Sequence, residues 1–388
     1  MANVKKKILF IHHGTGIGGA SICLKELVLS MADEIEPTIL CLKNSSAVSF
    51  FKESGIETIF LNTFFFKKIY SFWPHIEGTT YSLTSLILLP RFFISYILNA
   101  LYFSKNVLKK NEFDILYLNS TFLTDWTILN KKKTVVHVRE PLGKGFLGIR
   151  RSLFKLVISK KVDHIIAISN DNASRVNLLS KTTVIYDPMR AITYKQAIKT
   201  DLDKKYYLYL GGLQMIKGFY VLASALPYLN ANVKIFFAGN IDYQSRSGFF
   251  GNLKKMVESY WVAKLRKSDK VIEIGLINNV YDYLRSCDYL LFPSTIPHFA
   301  GPVLEAYRVG KPVVVSDVNG MDEIVSPKTG FFFTRGNAKE LAATINCSAT
   351  LSTEKYALFE QECLNKYEMI NSKNKTVISV IYKILGKK

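Results

Sequence analysis

Short apolar runs alternate with amphipathic stretches along most of the chain. KILFIH (7–12), PTILCL (37–42), TIFL (58–61), FDILYLN (113–119), TVVHV (134–138), VDHIIAIS (162–169) and TVIY (183–186) are strand candidates. A second series follows: YYLYLG (206–211), VKIFFAG (233–239), VIEIG (271–275), the run at 289–292 and PVVV (312–315). Helical patterns lie between them, at 22–31, 219–229, 280–286 and 303–309, the last stopped by Gly310. After Gly320, Asp322–Glu323–Ile324–Val325 reads as a further acidic helix start. From Glu354 onward an amphipathic pattern ending in ISVIYKILGKK predicts C-terminal helices. Strands that alternate with helices at this spacing predict βαβ units, hence parallel sheets buried on both faces. No short-period repeat interrupts the pattern.

One segment breaks the rhythm. Residues 62–111 carry Phe64, Phe65, Phe66, Lys67, Lys68, Tyr70, Phe72 and Trp73, then LTSLILLPRFFISYILNALYF. The stretch 83–103 is about long enough to cross a bilayer, since a span needs roughly 20 apolar residues. Pro90 and Arg91 sit in its middle and Ser, Thr and Asn recur, so helices are expected rather than a span. An aromatic, basic segment of this kind suits the membrane interface, with core packing in the first domain as the other reading.

Composition sharpens this picture in three ways. A chain of 388 residues suits two domains. The boundaries read as 1–190, a polar linker at 191–205, a second domain at 206–360 and a C-terminal helix at 361–388. The net charge of +20 calls for an anionic partner. Its lysines are dispersed and no zinc-finger, helicase or RNA-binding signature occurs, so a membrane surface or phosphorylated lipid is expected before nucleic acid. Five scattered cysteines without metal-ligand spacing point to a reducing compartment. The apolar run near the N-terminus is about five residues, too short for a signal peptide. A cytoplasmic protein, peripheral on the inner face of the membrane, is expected.

Candidate chemistry clusters where predicted strands end. The stretch 290–325 reads strand, loop, helix, strand, loop. Loops of that kind, with helix N-termini behind them, gather backbone N–H groups at one spot and suit anions. Glu305, just behind the first loop, can accept hydrogen bonds from the vicinal hydroxyls of a ribose. His13–Ser21 (HGTGIGGAS) is a glycine-rich loop after the first strand, but its spacing is not the dinucleotide fingerprint. His137, Arg139 and Glu140 end a strand; a satisfied core histidine is the alternative for His137. His12 and His13 are weaker candidates and His75 has no pattern behind it. The Asp201–Leu202–Asp203 triplet falls in the linker, not at a strand end, and is read as chance.

The residues Phe299, Ala300, Glu305 and Ala306, followed by Gly-Lys-Pro-Val-Val and Gly-Met-Asp-Glu-Ile-Val, resemble the donor site of glycosyltransferase family 4. Gly211–Gly218 (GGLQMIKG) resembles that family's Gly-Arg-Leu-x-x-x-Lys-Gly turn. Two positions depart: Pro297 stands where the family has its first Glu, and Gly212 where it has Arg. The resemblance implies a GT-B fold, two Rossmann-like α/β domains facing across a cleft, with the last helix packing back on the first domain. It implies a retaining transfer of a sugar from a nucleoside-diphosphate donor to a saccharide acceptor. The acceptor expected is polyprenyl-phosphate-linked, as in capsule or O-antigen assembly. It assigns catalysis to His137, Lys217 and Glu305. Donor binding falls to Gly18, Gly19, Gly212, Lys217, Gly239, His298, Phe299, Ala300, Gly301, Pro302, Val303 and Glu305. His13, Arg139 and Glu140 fall on the acceptor side. His298 is expected to replace part of the missing Glu. No cofactor or metal is expected. A non-catalytic nucleotide-sugar-binding partner subunit and a sugar-nucleotide epimerase of the same fold are the alternatives.

Overall fold

The computed structural model describes residues 5–71, 89–144, 148–189, 192–196, 198–239, 249–277, 279–297, 299–373 and 376–386. The chain divides into two compact units, 1–190 with 374–388 and 191–373. The first unit runs β1 (Lys6–His12), α1 (Gly19–Leu29), β2 (Ile35–Cys41), α2 (Ser46–Glu53) and β3 (Glu57–Phe60). It continues with α3 (Leu89–Leu98), α4 (Ser104–Lys109), β4 (Ile115–Leu118), β5 (Lys133–Val138), α5 (Ile149–Lys161), β6 (His164–Ala167), α6 (Asn170–Val176) and β7 (Thr182–Val184). A π-helical turn, Asn99–Phe103, joins α3 to α4 without a break.

The seven strands form one parallel sheet in the order β3-β2-β1-β4-β5-β6-β7. Strand side chains alternate between faces, so Ile8, Phe10, Ile115, Tyr117 and Val135 fill one core. Leu9, Ile11, Leu116, Leu118 and Val136 fill the other, with Trp126, Phe65 and Phe66. Both faces are buried, which is why the strands read as continuous apolar runs.

The second unit runs β8 (Lys205–Tyr209), α7 (Phe219–Ala225), β9 (Val233–Ala238), α8 (Phe249–Arg266), β10 (Val271–Gly275), α9 (Val280–Ser286) and β11 (Tyr289–Phe292). Then come α10 (Gly301–Tyr307), β12 (Val313–Ser316), β13 (Gly330–Phe333), α11 (Ala338–Ser348) and α12 (Thr353–Lys373). Its six parallel strands lie in the order β10-β9-β8-β11-β12-β13. The last helix, α13 (Val377–Ile384), belongs to the first unit. Its Val377, Val380 and Ile381 are buried with Leu24, Val28 and Ile39. Tyr382 donates to Glu34 at 2.7 Å.

Three sequence expectations need correction. The helix start at Asp322 is a compact turn, with Met321 N–H on the Val318 carbonyl (3.1 Å) and Val325 N–H on Met321 (2.9 Å). That turn buries Val318, Met321, Ile324 and Val325 and is followed, after a second turn at Ser326–Thr329, by β13, a strand the pattern did not reveal. The region 361–388 is not one helix, because α12 ends at Lys373 and α13 begins at Val377. The stretch read as a linker, 191–205, is tied into the second unit. Lys195 N–H bonds to Asp282 (2.8 Å), and Asn279 bonds to the Thr193 carbonyl (2.6 Å). Of the aromatic segment, Phe72, Trp73 and His75 lie outside the described residues.

Candidate active site

In both sheets the strand order reverses direction beside the first strand of the unit, between β1 and β4 and between β8 and β11. Ligands of open α/β sheets bind at the carboxyl ends of strands at such points. The candidate residues of each unit gather there.

In the second unit, glycines clear the space. Gly211 and Gly212 (φ +52°) follow β8, and Gly239 (φ +119°) directly follows β9. A Cβ on Gly239 would lie 2.5 Å from the Gly212 Cα, so the two glycine turns touch backbone to backbone. Gly218 (φ +75°) packs so closely on the Pro293 carbonyl that a side chain there would clash. Between these lies the turn Met215–Lys217, which presents Lys217. The loop after β11 is stitched to that turn. Thr295 N–H (3.0 Å) and the Ser294 hydroxyl (3.1 Å) both donate to the Ile216 carbonyl, and Ser316 donates to the Ser294 carbonyl (2.6 Å). The Lys217 ammonium lies 5.0 Å from the centre of the Phe292 ring. Burial lowers its pKa to about 8.

Glu305 lies in α10 and is buried, 5% exposed. Phe299, Ala300 and Val303 are buried beside it in sequence, as is Pro297. Pro302 has no N–H, and the Val303 N–H is donated to the Ala300 carbonyl at 3.0 Å. Within 301–303, Gly301 therefore carries the amide not taken by that bond. His298 lies outside the described residues. Gly212, at the position of the family's arginine, is in the left-handed region, where a long side chain is strained.

In the first unit the same place is filled by polar side chains. Arg139 Nε donates to Asn119 Oδ1 at 2.8 Å. Arginine only donates, so Asn119 presents its NH2 to His12 Nδ1, at 3.1 Å. His12 then carries its proton on Nε2, 3.1 Å from the Ser21 hydroxyl, which donates to the Gly16 carbonyl at 2.8 Å. The result is one directed chain from Arg139 to the glycine-rich loop. The same logic fixes His137. Its Nδ1 faces Arg139 Nη2 (3.3 Å) and the Tyr117 hydroxyl (2.8 Å), so Nδ1 accepts and Nε2 carries the proton. Nε2 points at Asp187 Oδ1, 3.8 Å away, and Asp187 Oδ2 is ion-paired with Arg139 Nη1. Neither His137 Nε2 nor Asp187 Oδ1 has a hydrogen-bond partner among the described residues.

Burial sets the charges here. It lowers His12 to about 3, with His13 and Arg139 adding to the effect, and His13 to about 4, again with Arg139. Burial and then Arg139 hold His137 well below its ordinary value. All three imidazoles are neutral at pH 7. Burial raises Glu140 to about 7, opposed by the Ser120 hydroxyl. Glu140 lies 3.9 Å from His13 Nε2. Gly18 and Gly19 stand at the start of α1 and have open space where a side chain would sit.

So the first unit unites His13, His137, Arg139 and Glu140 at one sheet edge, and the second unites Gly212, Lys217, Gly239 and the loop before Glu305. Sequence reasoning missed Asn119, Tyr117, Ser21 and Asp187. Asn119 left a trace as the polar end of an apolar strand. Asp187 left one as an acidic residue directly before Pro188. Among the described residues, no group of three or more His, Cys, Asp or Glu side chains is placed to hold a metal ion.

Known proteins resemble the chain at several levels. Residues 191–357 match the family described as Glycosyl transferases group 1. An uncharacterized glycosyltransferase of Methanocaldococcus jannaschii is 24% identical over 241 residues, 60% of this chain and 64% of that protein. The capsular polysaccharide biosynthesis glycosyltransferase CapH of Staphylococcus aureus is 25% identical over 236 residues, 56% and 63% of the two chains. The chain thus spans slightly under two thirds of the length of these relatives. Among solved structures, Anabaena HepE in complex with UDP and glucose superposes with a TM-score of 0.71. Identity is 18%, over 99% of this chain and 100% of that one. The lipopolysaccharide outer core galactosyltransferase WaaB gives 0.57 at 15% identity, over 94% and 98%. The fold is therefore GT-B, built on two Rossmann-like units, and the family match with the named relatives supports a glycosyltransferase.

Proposed function

We propose that the chain is a retaining glycosyltransferase of family 4. It moves a sugar from a nucleoside-diphosphate donor to a lipid-linked saccharide on the cytoplasmic face of a membrane, in the assembly of a surface polysaccharide such as capsule or O-antigen. The observation that carries this reading is the Gly211–Gly218 turn. It is locked to the loop after β11, presents Lys217, and stands in the unit that matches the family. The similarity to CapH supports the polysaccharide class, and that to HepE solved with UDP supports the donor class. The retaining outcome rests on the family resemblance.

The chemistry follows from charge. Glycosyl transfer passes through an oxocarbenium-like state in which the departing diphosphate gains negative charge. A cation held in a poorly solvated place stabilises that charge more than the ground state. Lys217 is that cation. With glycine at 212, it carries this task without the arginine the family places beside it. Glu305 accepts the ribose hydroxyls, and the backbone around Ala300 to Val303, with the Gly301 amide, holds the diphosphate. In the first unit, His137 offers an Nε2–H donor and Asp187 Oδ1 an acceptor 3.8 Å apart. One hydroxyl of the sugar or acceptor can bridge them, accepting from one and donating to the other. No metal is required in this scheme.

Thermal unfolding against a panel of nucleotides and sugar nucleotides tests it. A ligand at 100 times its dissociation constant stabilises by about 2.7 kcal/mol. The expected result is a shift with one nucleoside diphosphate that disappears in Glu305→Ala. No shift with any member of the panel overturns the donor site. A shift without turnover of the matching sugar nucleotide favours the second reading, a nucleotide-sugar-binding partner subunit. Proline at 297 and glycine at 212 favour that reading.

A further inference from the structure

The helical stretch formed by α3, the π turn and α4 has one face held firmly against the first unit. Phe92, Ser95, Asn99, Ala100, Ser104 and Leu108 are buried. Asn99 and Tyr70 both donate to the buried Asp125, each at 2.9 Å. Ser95 bonds to both the N–H (2.7 Å) and the carbonyl (2.9 Å) of Ser71, and Phe103 stacks on Phe65 at 3.8 Å. These contacts fix which side chains face outward.

The outward face is the reverse of what water selects. Every exposed residue between Phe93 and Tyr102 is apolar: Phe93, Ile94, Ile97, Leu98, Leu101 and Tyr102, each 40–61% exposed. A surface helix of a water-soluble protein puts charged and polar side chains there. Phe64, in the turn packed alongside, is 72% exposed. Tyr96 meets Phe154 of α5 edge-on at 6.4 Å, and α5 adds exposed Leu153 and Leu156. A contiguous apolar patch of this kind marks an interaction surface.

Charge identifies the partner. The sequence has no Asp or Glu from Gly78 to Asn111. Lys67, Lys68 and Arg91 are exposed at one end of the apolar face, where Arg91 donates to the Lys68 carbonyl at 2.8 Å. At the other end the same helical stretch supplies Lys105 and Lys109 to an open groove of about 970 Å³. The runs Lys5–Lys7 and Lys131–Lys132 line its remaining sides. Its two acids are already engaged: Glu112 pairs with the Lys7 ammonium (2.9 Å), and Asp114 accepts the Lys7 N–H (3.1 Å). An apolar face bracketed by lysines complements one surface in both respects, a bilayer whose headgroups are anionic.

We infer that this face docks the first unit on an anionic lipid bilayer. The apolar side chains of α3 and the π turn enter the headgroup–acyl boundary, and the lysine groove holds lipid phosphates. The inference deepens the reading of a membrane-associated transferase, yet it uses no residue of the donor or acceptor site.

Vesicle flotation tests it, with pure phosphatidylcholine and with a 1:1 mixture of phosphatidylglycerol and phosphatidylcholine. The full chain is expected to float with the mixed vesicles and not with phosphatidylcholine alone. Ile97→Asp/Leu101→Asp should weaken binding at least tenfold. Lys105→Gln/Lys109→Gln should weaken it about fivefold per lysine, the effect of one basic residue near such a surface. The nucleotide-induced thermal shift is measured on every variant. Retention of that shift with loss of flotation supports docking and shows the variants are folded. Wild-type protein that shows the shift but floats with neither vesicle overturns the docking and leaves the transferase reading standing. Variants that float like wild type also overturn it. So does a loss confined to the lysine variants together with wild-type binding to heparin, which marks the groove as a site for a soluble polyanion. A concentration-dependent dimer abolished by Ile97→Asp/Leu101→Asp, without wild-type flotation, overturns it as well.

Discussion

The two sheets share one strand order but use their carboxyl ends in opposite ways. The edge of the first sheet is crowded with buried imidazoles, an arginine and carboxylates, each oriented by its neighbours. The edge of the second is emptied by Gly211, Gly212, Gly218 and Gly239, leaving backbone, one lysine and one buried carboxylate. The difference teaches that the fold fixes where a site lies and not how it works. The first edge is preorganised by side chains that orient one another while His137 Nε2 and Asp187 Oδ1 stay unpaired among the described residues. The second is shaped by side chains that are missing, so that a ligand can approach the backbone.

Three experiments sharpen the contrast, the largest expected effect first. Arg139 holds the first edge together, since it contacts Asn119, His137 and Asp187. Arg139→Met leaves a buried carboxylate without its partner, and breaking such a pair costs about 3–5 kcal/mol. Denaturant unfolding should show a loss of that size, and a loss under about 1 kcal/mol would mean the edge is not organised around this residue. In the second edge the sensitive positions are glycines. Gly218→Ala forces a Cβ against the Pro293 carbonyl at positive φ, where strain costs roughly 1–3 kcal/mol. Gly16→Ala, in the loop of the first unit, meets open space and should change stability by less than about 0.5 kcal/mol. Equal losses at the two sites would erase the distinction drawn here.

The third experiment is a pH dependence. Lys217 is lowered to about 8 in the free protein, and a bound diphosphate favours its charged form, raising its pKa in the complex. The complex therefore holds more protons than the free protein at and above pH 8. Nucleoside-diphosphate affinity should be constant below that pH and fall as pH rises through it, approaching tenfold per unit. In Lys217→Met the affinity should be lower at pH 7, with this fall removed. Titration calorimetry at pH 7 and pH 9 decides it, and an unchanged ratio in the variant would remove Lys217 from the diphosphate contact.

Much of the second edge was legible in the sequence because glycine requirements are local. Gly211, Gly212 and Gly218 mark a tight turn after an apolar run, whatever the rest of the chain does. The first edge was legible only in part. His137, Arg139 and Glu140 end one strand, but Asn119 ends another, and Asp187 follows a third. Only the strand order brings them together, and periodicity does not encode that order. Short elements were lost for a different reason. The strand Gly330–Phe333 and the helix Ser46–Glu53 are too brief for either period to repeat. The acidic start at Asp322 resembles a helix, but the chain closes a second turn at Ser326–Thr329 before β13.

The return of α13 to the first unit sets an order of assembly. Val377, Val380 and Ile381 complete a core whose other members come from the first two hundred residues. A ribosome releases those three side chains only after the whole second unit has been made. The part of that core which α13 covers is therefore still uncovered when the last strand of the second unit leaves the ribosome.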